Sequence, residues 1–146
     1  MSAIRVVCAQ AGSSRVVRLI LGDGDGDGNG KGNGNGQGLP TTARSLSADH
    51  HTPWGIVHGG VYSSAIESAA SIGASASVRG REVVAVGLTT TTRFLRSGTS
   101  GIVTVQAVAL NRGRTQQLWQ VDVNDGSGRL LAHGEVRPQN VSAARG

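Results

Sequence analysis

One carboxylate stands where a chain seldom places one. Between Val61 and Val78, the residues Ala65, Ile66, Ala69, Ala70, Ile72, Gly73, Ala74 and Ala76 recur around most of a helical circumference, with Glu67 set among them. A helix apolar on nearly all sides is expected to be buried on nearly all sides. An ionised group in such surroundings costs several kcal/mol unless it is paired or hydrogen-bonded, so a lone Glu needs a reason. Two readings stand side by side. In the first, Glu67 lies on a stripe that reaches solvent or the neighbouring hydroxyls of Ser63, Ser64, Ser68 and Ser71. In the second, it is a reactive carboxylate.

The approach to the helix favours the second. His58-Gly59-Gly60 opens it, and two glycines leave their backbone N–H groups unobstructed at the positive end of the helix dipole. Such donors can hold a developing oxyanion, an effect of about 2.7–4 kcal/mol per donor in other enzymes. Glu67 follows Gly60 by about two helical turns and so falls on a similar face. Carboxylate and oxyanion donors would then look into one pocket.

Other chemistries fail on spacing. His50, His51, His58 and His133 give no i, i+4 metal pair, and Cys8 is the only cysteine, so neither a zinc site nor an internal disulfide is expected. No G-x-S-x-G elbow occurs. The tract Gly22–Gly38 alternates glycine with Asp, Asn, Lys or Gln in strict period two. It imitates a calcium loop at Asp23, Asp25, Asp27 and Gly28, yet Gly34 stands where the bidentate Glu belongs. Its glycines all share one parity, which defeats the dinucleotide fingerprint, and Lys31 precedes Gly32 instead of Ser or Thr. A solvated loop is the plain reading.

The elements around the helix read as strands. Arg15–Leu21 is aliphatic and ends at Gly22; Leu39–Ser47 alternates weakly and could pair with it across the glycine tract, whose closure cost grows only logarithmically with length. After the helix come Val83–Leu95, with Val84, Val86, Leu88, Thr90, Thr92 and Phe94 on one face, then Ile102–Leu110, Thr115–Val123 and Arg129–Arg137. The turns Ser97–Gly101, Asn111–Arg114 and Asn124–Gly128 between them predict an antiparallel meander. The expected fold class is α+β: one long central helix wrapped by a curved antiparallel sheet of about five to six strands. Trp54, Trp119 and Phe94 read as core or subunit contacts before ligand cages.

Length and composition bound the rest. The 146 residues suit one domain, expected over 15–140 with the loop at 22–38, an unassigned extension at 1–14 and a tail at 141–146. The net charge of +5 arises from 14 basic and 9 acidic residues, and all the bases but Lys31 are arginine, which suits a phosphate-bearing partner. Only four residues are aromatic (Trp 2, Tyr 1, Phe 1), too few to stack single-stranded nucleic acid. No apolar stretch reaches the roughly 20 residues of a membrane-crossing helix, and no signal peptide is evident. A cytoplasmic protein with neither nucleic-acid nor membrane partner is the expectation.

The segment His58-Gly59-Gly60-Val61-Tyr62-Ser63-Ser64-Ala65-Ile66-Glu67-Ser68-Ala69-Ala70-Ser71 resembles the HGG-x6-E helix of hotdog-fold acyl-CoA thioesterases of the phenylacetic-acid-degradation (PaaI) type. Arg93-Phe94-Leu95-Arg96-Ser97, Asn111-Arg112-Gly113-Arg114 and Asp125-Gly126-Ser127-Gly128-Arg129 look like that family's strand-turn-strand landmarks, so the resemblance runs from about Leu39 to Asn140. It implies that Glu67 is the catalytic carboxylate, as nucleophile on the thioester carbonyl or base for water. The Gly59 N–H would polarise the thioester oxygen beside Gly60, with His58 orienting it. Ser71 matches a position that helps place the attacking water, and Thr52 stands where many members carry Gln. The resemblance further implies a homodimer, assembling to a homotetramer, in which the carboxylate of one subunit faces the His-Gly-Gly turn of the other. No cofactor is implied. Arg93, Arg96, Arg112 and Arg114 become candidates for the phosphates of coenzyme A, Arg96 foremost, against the reading of solvated turn residues or tetramer contacts. Hydrolysis of an aryl- or medium-chain acyl-CoA is the expected function; a hotdog module that binds acyl-CoA without turning it over is the alternative.

Overall fold

The computed structural model describes residues 46–143 in full and two further segments, 5–11 and 14–21, as backbone strands. The glycine tract at 22–38 and the expected strand of 39–47, up to residue 45, lie outside the described residues. The element order is β1 (Arg5–Ala11), β2 (Ser14–Leu21), a 3-10 turn (Ala48–His50), α1 (Gly59–Ser77), β3 (Val83–Phe94), β4 (Val103–Arg112), β5 (Gln117–Asp125) and β6 (Leu130–Ser142). Among the described residues, one α-helix and six antiparallel strands make the expected α+β architecture.

Helix α1 starts where its first turn is satisfied locally: His58 is the N-cap, and its Nδ1 accepts the Gly60 N–H at 2.9 Å. Alanine-rich sequence without proline carries it for 19 residues, and it ends at Val78, two residues before Gly80 takes a φ of 83°. Its buried residues are Tyr62, Ala65, Ile66, Ala69, Ala70, Gly73 and Ala74, while Gly60, Ser64, Glu67 and Ser75 are exposed. The helix is thus buried on one side and open on the other within a single chain, which corrects the expectation of burial nearly all round. Serine, glycine and Glu67 together make the open stripe; counting alanines alone hides it.

Valines on alternate residues of β4 and β5 build the floor: Val103, Val105, Ala107, Trp119, Val121 and Val123 are essentially solvent-free beneath α1. On β6, Gly134 lets the helix approach, because a Cβ there would lie 2.7 Å from Ile66 Cγ2 and 2.9 Å from the Thr91 carbonyl oxygen. Buried Gln117 ties the helix end to the sheet. Its Oε1 accepts from Ser77 Oγ and Trp119 Nε1, and its Nε2 donates to Asn140 Oδ1.

The sheet order is β1-β2-β4-β5-β6-β3, so the meander is confined to β4-β5-β6, and β3 pairs with β6 rather than with β4. Residues 97–101 therefore do not close a hairpin. Their carbonyls are taken by the chain entering the site: Leu46 N–H donates to Gly101, Val57 N–H to Gly98, and His51 Nε2–H to Thr99. Leu46 is thereby drawn to Gly101, while β2 pairs with β1 and β4. Strand β1 lies within the segment set aside from the sequence as an extension.

A second difference sits inside β3. The pairing steps from Gly87 opposite Pro138 to Thr89 opposite Arg137, leaving Leu88 as an extra residue. Sequence alternation therefore changes face at the bulge. Ala85 and Gly87 face the helix before it, and Thr90, Thr92 and Phe94 after it. Val84, Val86 and Leu88 are consequently exposed. The single face read from Val84 to Phe94 is two half-faces.

Candidate active site

Between the open side of α1 and the helix-facing half of β3 runs a groove of about 580 Å³, lined by Ser63, Ser64, Glu67, Ser68, Thr90, Thr92 and Phe94. Glu67 projects into it from mid-helix. Its Oε1 accepts the Ser71 hydroxyl at 2.8 Å, one turn along, which fixes the carboxylate and leaves its second oxygen open. Gly87 lies beneath, and a Cβ there would come within 3.3 Å of Oε1. Glycine at this strand position makes room for the carboxylate.

The helix start supplies one unspent donor. The Gly60 N–H is held by His58 Nδ1, and the Val61 N–H by the His58 carbonyl at 3.0 Å. The Gly59 N–H has no acceptor among the described residues. Because Nδ1 accepts from a backbone N–H, the ring proton of neutral His58 sits on Nε2. The Phe94 ring packs against Gly59: a Cβ there would fall 2.9 Å from Cζ. The donor is thus flanked by an aromatic side chain that also lines the groove.

Glu67 follows Gly59 by eight positions, which sets their backbones about 12 Å apart along the helix axis. Thr52 belongs to a tight turn in which its N–H and its hydroxyl both donate to the Ile56 carbonyl, at 2.7 and 3.2 Å. That turn presents Trp54 with 83% of its surface exposed.

The four arginines are scattered. Arg93 pairs across from His133 on the sheet face opposite Thr92 and Phe94. Arg96 donates from Nη1 to the Leu130 carbonyl at 2.9 Å. Arg112 lines a separate polar groove at the C-terminal end of α1, and Arg114 lies in the adjoining β4–β5 turn. The sequence reading missed the groove-lining Thr90 and Thr92. Gly87 ahead of a run of four threonines was the available sign, since glycine inside a strand marks a bulge or a close approach. No cluster of three metal-ligating side chains occurs among the described residues, and no helix there is long and apolar enough to cross a membrane.

A long helix laid on a curved antiparallel sheet, with its N-terminal glycine turn and a mid-helix carboxylate on the open side, defines a hotdog domain of the thioesterase type. Residues 55–132 match the thioesterase superfamily, and the chain belongs to it. The Mycobacterium tuberculosis protein Rv1847, which carries an esterase name, is 47% identical over 91 residues, 61% of this chain and 65% of that protein. Its solved structure superposes with a TM-score of 0.72 at 32% identity, covering 95% of this chain and 93% of that one. A Listeria monocytogenes relative named 1,4-dihydroxy-2-naphthoyl-CoA hydrolase is 40% identical over 81 residues, 56% of this chain and 65% of its own length. The matched region thus spans slightly less than two thirds of these curated relatives. The Haemophilus influenzae thioesterase HI1161 shares the fold, with a TM-score of 0.71 at 20% identity over 96% of this chain and 80% of that chain.

Proposed function

We propose that this protein hydrolyses an acyl-CoA thioester at a site completed by two copies of the chain. The observation that carries the reading is the pairing of a hydroxyl-held, groove-facing carboxylate with a helix-start N–H left without an acceptor. The roughly 12 Å of helix axis between them favours a site in which Glu67 of one subunit works with Gly59 of another. The Gly59 N–H then donates to the carbonyl oxygen as negative charge develops there. Glu67 either takes a proton from the water that attacks the carbonyl carbon and returns it to sulfur as the carbon–sulfur bond breaks, or itself attacks that carbon and expels the coenzyme A thiolate. The second route leaves a mixed anhydride that water cleaves to the acid product and the Glu67 carboxylate, both ionised, the two protons released neutralising thiolate and solvent base. Ser71 holds the carboxylate in line, and His58 keeps the first helical turn shaped around Gly59.

The five hydroxyl-bearing residues and one aromatic ring that line the groove suit a flat acyl group that bears polar substituents, which accords with the name of the Listeria relative. Arg96, two residues beyond Phe94, is the arginine we assign to a phosphate of coenzyme A. Assembly of dimers into a homotetramer completes the proposal. The test is release of free thiol from a panel of aryl- and alkyl-CoA thioesters, with Glu67→Ala beside the parent. Turnover by the parent and its loss in the variant are expected. Binding of the esters by both proteins with turnover by neither would replace hydrolysis with the acyl-CoA-binding module.

A further inference from the structure

Hydroxyls on α1 divide into two groups. Ser71 and Ser77 spend theirs, on Glu67 and on Gln117 and the Ala74 carbonyl. Ser63, Ser64 and Ser68, which line the groove, donate to none of the described residues, and neither does Thr90 across from them. Open to water, these cost nothing. Thr92 is different: its Oγ1 is shut off from solvent and has no hydrogen-bond partner. The other buried hydroxyl in this class among the described residues, that of Tyr62, lies in the core against Gly98, whose backbone N–H is directed at it.

Packing gives no reason for an oxygen at position 92. Valine has the same shape, and the sheet places valine at several of its other helix-facing positions, Val103, Val105, Val121, Val123 and Val136. A lone buried hydroxyl is a net cost wherever a methyl would fit. Thr92 stands between Thr90 and Phe94 on the half-strand that the Leu88 bulge turns toward Glu67. Thr92 itself lines the groove, so a turn about its χ1 would bring Oγ1 from its unpartnered position toward a substituent of a bound acyl group.

We infer that Thr92 is a specificity-determining residue, whose hydroxyl pairs with a hydroxyl or carbonyl oxygen on the acyl group while Phe94 packs against the ring. The inference rests on the thioesterase reading of the groove and assigns the discrimination to one atom. A site that must pair a buried polar group rejects an analogue lacking the partner far more strongly than a site that merely excludes a methylene.

The test compares hydroxybenzoyl-CoA isomers with benzoyl-CoA on the parent, Thr92→Val and Thr92→Ser. For the isomer preferred by the parent, Thr92→Val should lower the hydroxylated-to-unsubstituted ratio of kcat/KM about tenfold, with benzoyl-CoA changed less than about twofold. Thr92→Ser should restore most of that ratio. The same esters are titrated calorimetrically against Glu67→Gln and Glu67→Gln/Thr92→Val, where the affinity ratio should shift in the same sense. A ratio unmoved by Thr92→Val, or equal losses on both esters, overturns the inference and leaves the thioesterase reading intact. If the parent hydrolyses neither ester, the thioesterase reading is decided by the wider panel and the affinity ratio alone decides the role of Thr92. A shift with Thr92→Val then supports the residue's role, and no shift or no binding overturns it.

Discussion

Replacing Gly59 by proline removes one hydrogen atom from the proposed site and little else. Proline is at home in the first turn of a helix, where its missing N–H has no intrahelical partner to lose. His58 already has φ −64° and ψ 133°, the extended conformation that a following proline imposes. The steric cost lies in the Cβ, which would come 2.9 Å from Phe94 Cζ, and Phe94 is 56% exposed and able to swing aside. Gly59→Ala introduces the same Cβ and keeps the N–H, so the two variants differ only by the donor and the two ring carbons, Cγ and Cδ, that close over it. No neighbour can replace it, because the Gly60 N–H is committed to His58 Nδ1 and the Val61 N–H to the His58 carbonyl. Loss of one oxyanion donor costs about 10²–10³ in kcat. Gly59→Pro should therefore fall at least about a hundredfold below Gly59→Ala in thiol-release assays, with melting temperatures close to each other. Equal activity in the two variants would refute the assignment of Gly59.

Other predictions address the assembly, the packing and one loop. Mixing Glu67→Gln with Gly59→Pro under subunit exchange should restore about a quarter of parental turnover, because half the dimers are hybrid and one of their two sites is intact; no recovery would place the site within one chain. Gly134→Ala should destabilise the fold by about 1–3 kcal/mol in denaturant titration, as the new methyl meets Ile66 and the Thr91 carbonyl; unchanged stability would mean that the helix does not approach the sheet so closely. The Asp125 carboxyl is held down to about 2, first by the Ser127 hydroxyl and then by the Arg129 N–H. Its contribution to the 125–129 turn is therefore complete above the ordinary value of 3.8 and is lost as pH falls from there through about 2. A carboxyl resonance of Asp125 titrating at 3.8 would contradict this.

The helix, β2 and the four later strands were legible because their periodicities are clean and their turns rich in glycine and asparagine. Glu67 and the Gly59-Gly60 turn stood out from residue type and spacing, Ser71 and His58 from the family resemblance, and the structure gives Ser71 a hydrogen bond to Glu67 and His58 one to the helix start. What sequence could not reveal is mostly non-local. The pairing of β3 with β6 depends on residues 97–101 finding partners around Leu46 and Val57, dozens of residues away. The Leu88 bulge is a one-residue slip that leaves the alternation of side chains apparently unbroken while exchanging the faces. The four arginines illustrate the same limit, since a shared residue type carries no information about which side of a sheet each will occupy. Burial nearly all round α1 was expected because alanine counts as hydrophobic, and of the two placements left open for Glu67 the structure shows the stripe that reaches solvent beside the serines. In the chain, alanine marks the close-packed side of α1, and serine marks the open one.

The two tryptophans occupy opposite extremes, Trp119 wholly enclosed and Trp54 held out on the Thr52–Ile56 turn. Each indole therefore gives its own optical signal. Iodide reaches Trp54 in the folded chain and Trp119 only after the core opens, so quenching by the two routes separates docking at the turn from global unfolding. A Trp54→Phe protein would keep the unfolding signal alone, and the difference spectrum would record whatever covers that turn.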